Sequence, residues 1–191
     1  MTDNLDTILQ NFDEYTPLLI ELNGQWYKLF REKKYWNIAQ NKPYLKYITI
    51  TGSQNLLDII NNCRVSVIKK AFNLGVKFEF TNDDFLQIRV KVKLSAQWCL
   101  LLAKLIPNID LVLLLITAIS GNITRYSEID LVVGMLKSKG LPLNSGRYAL
   151  HSPAFLEIML NHGFFADFNV IHQNNMRLMD ETNLNIMSIF G

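Results

Sequence analysis

Leu86-Gln87-Ile88-Arg89-Val90-Lys91-Val92-Lys93-Leu94 alternates apolar and polar residues without interruption. A period of two sets the apolar side chains on one face and Arg89, Lys91 and Lys93 on the other, so the segment predicts a half-buried antiparallel strand with a basic outer face. Just upstream, Val76, Phe78 and Phe80 alternate with Lys77 and Glu79, and Asn82-Asp83-Asp84 reads as the turn that joins the two runs. Before them, Leu56, Ile60, Cys63, Val67, Ala71 and Leu74 make one stripe, widened by Leu57, Ile68 and Phe72. That spacing predicts a single long helix over 54–74, capped by Ser53 and stopped at Gly75.

Further towards the amino terminus, Leu5, Ile8, Leu9 and Phe12 recur at helical spacing behind Asp3, and Pro17 ends the run. Residues 18–30 then read as a hairpin around Asn23-Gly24, a dipeptide that supplies the positive φ angles of a two-residue turn. Residues 31–43 read as a loop or short helix, and 44–51 as a third strand. On the carboxyl side, Ser95 opens a helix to Ile106, Pro107 breaks it, and Asn108 caps a second helix ended by Gly121. Ser127 with Asp130 resembles a capping box for a helix through Ile129, Val132, Val133 and Leu136 that Gly140 ends, and Ser152-Pro153 starts another that Gly163 ends. The expected fold class is α+β: an antiparallel sheet with a long packing helix in the N-terminal half, and a helical C-terminal half. It is expected as a single domain over 1–170, sheet and helix in 18–94 and helices in 95–170, followed by a tail over 171–191.

With 49% hydrophobic residues, only 19% charged and a formal charge of +2, the chain can bury a large core and still leave apolar surface for a partner. Near-balanced charge argues against dedicated nucleic-acid binding, which uses a concentrated basic face. The start, Met1-Thr2-Asp3-Asn4-Leu5-Asp6, lacks the basic-then-apolar order of a signal peptide. The apolar region over 98–119 is interrupted by Lys104, Pro107, Asn108 and Asp110, which fits two buried helices rather than one membrane span of about 20 residues. A cytoplasmic protein without direct membrane insertion is therefore expected. Cys63 and Cys99 lie in apolar periodic segments and are expected as buried free thiols.

No nucleophile elbow, phosphate loop or dinucleotide glycine pattern occurs. His151, His162 and His172 have no second ligand at the three- or four-residue spacing that puts two on one helix face, so no metal and no cofactor is expected. His162, beside Gly163, suits a helix carboxyl end, where an imidazolium meets the last carbonyls. Gly121-Asn122 followed by Ser127-Glu128-Ile129-Asp130 resembles the phosphate turn and paired carboxylates of a nucleotidyltransferase, but a helix cap accounts for the same residues. The chain is expected not to be an enzyme. Binding candidates are the aromatic cluster Trp26, Tyr27, Tyr35 and Trp36 beside Arg31, Lys33 and Lys34, the basic row Arg89, Lys91 and Lys93, and the apolar tail residues Ile189 and Phe190. Core packing is the competing use for at least half of the aromatics, and a solvated strand face for the row.

Two resemblances bear on function. The order hairpin, strand, long helix to Gly75, two strands and apolar helix is similar to small adaptor proteins of the bacterial type IVB (Dot/Icm) secretion coupling complex, the accessory Lvg type more than the smaller Icm pair. The residues that carry it are Ala71-Phe72-Asn73-Leu74-Gly75-Val76-Lys77-Phe78-Glu79-Phe80 and Ile88-Arg89-Val90-Lys91-Val92. It implies a noncatalytic, chaperone-like subunit of a hetero-oligomer, cytoplasmic and peripheral to an inner-membrane complex, that helps recruit effector proteins by binding effector segments and coupling-complex subunits. The second likeness is to degenerate ankyrin repeats, over Leu115-Ile116-Thr117-Ala118-Ile119-Ser120-Gly121-Asn122 with Lys139-Gly140-Leu141-Pro142-Leu143-Asn144, and over Leu150-His151 to Gly163. It implies an ankyrin-like secreted effector binding host proteins. Against a continuous array stand an insertion over Asn122 to Ser127 inside the first unit, a second unit that lacks most of its first helix, fewer than the roughly three units that stacked repeats need, and the alternating segment 86–94, which falls where an array needs a helix.

Overall fold

The computed structural model describes residues 26–166 and is mostly helical. The expected α+β class is overturned: the only sheet among the described residues pairs two short strands in parallel, β1 (Thr49–Ile50) with β2 (Lys77–Phe78). The chain divides into two compact units, one of residues 1–92 with 101–109, the other of 93–100 with 110–191.

In the first unit, residues 26–30, expected as the second hairpin strand, instead form helix α1 (Trp26–Arg31). One extended residue, Glu32, separates it from α2 (Lys33–Ala39). Most of the expected strand 44–51 is a 3-10 turn (Pro43–Tyr47), with proline at its first position where no amide donor is needed; only its end is β1. The long helix 54–74 is two helices, α3 (Ser53–Asn62) and α4 (Val65–Asn73), because Cys63 and Arg64 are both extended (ψ 154° and 140°). The break resets the helical phase. Ile68 and Ala71 become the buried residues of α4, whereas Leu74, in the predicted stripe, is 41% exposed.

Gly75 does stop α4, with φ at 110°, in the left-handed region glycine occupies without Cβ strain. The amide of Gly75 donates to Phe72 O (3.1 Å) and that of Val76 to Ala71 O (3.0 Å), which satisfies two orphan carbonyls and turns Val76 into the core. Val76, Phe78 and Phe80 are buried and Lys77 and Glu79 exposed, as their alternation predicts.

The segment that set the sequence reading is not a strand. Asn82-Asp83-Asp84 is not a turn but the first turn of α5 (Asn82–Ile88), fixed by a reciprocal capping box: Asp84 N donates to Thr81 Oγ1 (3.2 Å) and Thr81 N to Asp84 Oδ2 (2.9 Å). A 3-10 turn (Arg89–Lys91) follows. Phe85, Ile88, Val92 and Leu94 are buried, while Leu86 and Val90, which the alternation also puts inward, are 46% and 78% exposed. Helical spacing was present beneath the alternation, and the cap selects it.

Helix α6 (Ala96–Leu105) begins as expected, with Ser95 Oγ accepting from Trp98 N (3.2 Å), and ends before Pro107. In the second unit, α7 (Leu111–Ile119) is capped by Asp110, not Asn108: its Oδ1 accepts from the amides of Val112 (3.0 Å) and Leu113 (3.1 Å). The buried hydroxyl of Thr117 donates to Leu113 O (2.7 Å). A Cβ on Gly121 would stand 2.6 Å from Leu94 O, so this residue lets the incoming chain pass against the end of α7. Helix α8 (Tyr126–Ser138) has Arg125 at its cap, so Ser127 and Asp130 lie inside it. Helix α9 (Pro153–Asn161) starts behind Ser152 as expected.

Helices α8 and α9 end as α4 does. Gly140 (φ 99°) and Gly163 (φ 90°) donate to Lys137 O and Leu160 O, and the buried Leu141 and Phe164 donate to Leu136 O and Met159 O. Each unit also hydrogen-bonds the segment after such a glycine to another loop: Lys77 N to Ile48 O (2.9 Å) in the first, Gly146 N to Phe165 O (3.1 Å) in the second.

Candidate functional site

The aromatic and basic residues singled out between 26 and 36 fall on α1 and α2, whose connection turns several of them towards one recess. Phe30 and Trp36, both buried, meet ring to ring at 5.6 Å. Phe30 also packs on Phe78 (5.9 Å), which ties the recess to the core of the first unit. With Val67 of α4 they form the apolar floor of a cavity of about 530 Å³. Three cations, Arg31, Lys33 and Arg64, and two amides, Asn37 and Asn62, complete its lining.

The cations differ in their surroundings. Arg31 lies over the Tyr27 ring (5.2 Å) and pairs with its neighbour Glu32 (3.1 Å), both of them solvated, so that pair contributes little. Lys33 and Arg64 are exposed, and neither has an ion pair or side-chain hydrogen bond among the described residues. Arg64, extended at the break between α3 and α4, lines the recess from there. Asn62 donates to Asp58 O (2.9 Å) at the end of α3.

Of the other candidates, Trp26 opens α1, and half-buried Tyr35 stacks with Lys34 (4.7 Å) outside the cavity lining. The basic row is not a strand face. Arg89 and Lys91 are on a 3-10 turn, and Lys93 follows outside any helix or strand. Ile189 and Phe190 lie outside the described residues, as do the first expected helix and most of the hairpin.

Both cysteines are buried free thiols, as expected. Burial pushes the Cys63 thiol up to about 12 against the opposing pull of Arg31, with Asp58 adding to the rise, and burial alone takes Cys99 to about 12. Cys63 spends its proton on Tyr27 O (3.4 Å). Such thiols are packing groups and not nucleophiles.

In the second unit the polar residues of α8 and α9 are spent on each other. Asp130 Oδ1 lies 2.6 Å from His162 Nε2, Lys137 Nζ donates to His162 O, and Tyr126 OH donates to Glu157 Oε2 (3.1 Å). The bond to Glu157, then its charge, raises the Tyr126 phenol above its ordinary value. Asp130 is thereby the partner of His162, and Glu128 lies two positions away on the same helix, next to Arg125 (3.9 Å). Two helical carboxylates so spaced point to different faces, unlike the strand pair that holds a metal in nucleotidyltransferases. Among the described residues no three His, Cys, Asp or Glu side chains converge as a metal site, and no helix is long and apolar enough to cross a membrane.

Comparison of the chain with family models, curated proteins and solved structures finds no match.

Proposed function

We propose that this chain is a noncatalytic protein-binding scaffold made of successive helix pairs. The observation that carries the reading is the spacing of the helix ends along the chain. In chain order the helices follow one another in twos, α3 and α4, α5 and α6, α7 and α8, with a 3-10 turn and α9 last, and the extensive packing is of α3 on α5 and of α8 on α9. Their second helices end at Gly75, at Pro107-Asn108, at Gly140 and at Gly163. Gly75 to Asn108 is 33 positions and Asn108 to Gly140 is 32, close to the period of about 33 of ankyrin-type repeats. Of the alternating segment 86–94 that spoke against an array, 86–88 lie in α5 and 89–91 in a 3-10 turn, so no strand interrupts the array there.

The ankyrin-like reading is therefore the one taken forward. The likeness to secretion adaptors rested on a strand order that is not the observed one, although the same class of work, holding a segment of another protein, belongs to both. Repeat scaffolds present loops and helix faces as one binding surface, and the repeated unit has no need of a reaction centre. Two buried free thiols suit a reducing compartment, so the proposed setting is the cytoplasm, as part of a hetero-oligomer.

The test is capture of partners by the tagged full chain from its source cells, followed by hydrogen exchange of the purified complex. A stoichiometric partner whose binding protects α-helical surface in 26–166 supports the reading. A folded chain that captures nothing and turns over a small-molecule substrate overturns it.

A further inference from the structure

We propose that the recess of the first unit takes an acidic segment of a protein partner, with one apolar side chain on the Trp36 floor and carboxylates on Lys33, Arg64 and Arg31. The inference rests on the protein-binding reading above and names the chemistry of the partner.

Charge complementarity selects the occupant. Three cations stand around one cavity; of the carboxylates near them in sequence, Glu32 pairs with Arg31 (3.1 Å) and Asp58 accepts from Gln54 (3.0 Å). Lys33 and Arg64 both line the recess, and neither has an ion pair among the described residues. A stabilising role in the fold does not explain that arrangement, because like charges brought together cost free energy unless a counter-charge arrives. The floor adds the second requirement. Phe30, Trp36 and Val67 offer an apolar surface, and a cavity of about 530 Å³ is in the range that receives an aromatic or large aliphatic side chain with its neighbours. Asn37 and Asn62 can serve the peptide groups of the bound segment. A nucleic acid fits less well: its phosphates call for cations strung along a face, and these three surround a single apolar recess.

The full chain is titrated into a fluorescein-labelled heptapeptide, Gly-Asp-Glu-Phe-Asp-Glu-Gly, and followed by anisotropy at low and high salt. The matched peptides carry alanine for phenylalanine, or lysine for every acid; a six-nucleotide oligothymidylate is the second polyanion. Saturable binding that weakens about tenfold or more in Lys33→Glu and in Arg64→Glu, and with the alanine peptide, supports the proposal. Both variants change exposed side chains, and circular dichroism checks that they fold. No saturation up to about 1 mM, or affinity unchanged in both variants, overturns it. Equal binding of the oligothymidylate with the same sensitivity to the variants also overturns it, in favour of a general polyanion site. If Lys33→Glu and Arg64→Glu still capture the cellular partner, this inference falls while the scaffold reading stands.

Discussion

The recess of the first unit and the joined faces of α8 and α9 in the second treat their charged side chains in opposite ways. Along α8 and α9 of the second unit, Asp130 meets His162, Tyr126 meets Glu157, and Lys137 meets a helix-end carbonyl. Around the recess of the first, Lys33 and Arg64 meet no such group among the described residues, above a floor of aromatic rings. A surface whose polar groups are spent internally has little left to offer a partner, whereas unspent charge beside apolar surface is what an interface uses. The contrast separates residues that join helices from residues free to bind.

The comparison breaks first if the polar joints, and not the core, hold the second unit. Phe155 is 2% exposed, and Phe155→Ala is expected to cost about 3–5 kcal/mol in urea unfolding; a loss below about 1 kcal/mol would show that packing is not what holds α9. Gly121→Ala comes next, at about 1–3 kcal/mol, because its Cβ must displace the Leu94 backbone; an unchanged midpoint would mean that the close approach is not kept in solution. The joints themselves are smaller. Asp130→Asn, which removes a pair whose carboxylate side is 61% exposed, is expected to cost at most about 1 kcal/mol. Smallest of all is the effect on stability of Lys33→Glu combined with Arg64→Glu, within about 0.5 kcal/mol by thermal unfolding. A large loss there would mean the cations hold α1 and α2 in place, and would dissolve the distinction between the two units.

Sequence pattern served best where the structure is local. Gly75, Gly140 and Gly163 were legible as helix stops, since a glycine after an apolar periodic run needs no distant partner to act. Ser95 and Ser152-Pro153 were legible for the same reason. Residues 86–94 were misread because alternation in Leu86, Ile88, Val90, Val92 and Leu94 coexists with helical spacing in Phe85, Ile88 and Val92. A strand also needs a neighbour to pair with, which pattern alone cannot supply. The deciding signal is the capping box of Thr81 with Asp84, whose Asn82-Asp83-Asp84 stretch has the composition of a turn as well. Of the eight residues that line the recess, Trp36, Arg31 and Lys33 belong to the docking region the sequence suggests. Arg64 does not, because the break at Cys63 and Arg64 carries neither proline nor glycine, and the apolar stripe runs across it; Asn61-Asn62, poor helix formers, are the faint mark it leaves.

The placement of Cys63 in one unit and Cys99 in the other gives the protein a built-in pair of clocks. Each thiol is held near 12 in the fold, against an ordinary value of 9.0, so alkylation waits until the unit around it opens. The two labelling rates, read separately by peptide mass, would time the breathing of each unit without any engineered probe. The same shift sets an alkaline boundary. Below about pH 9 both states keep their protons and the fold loses nothing; as pH rises from there towards about 12, only the unfolded chain ionises, and stability drains away.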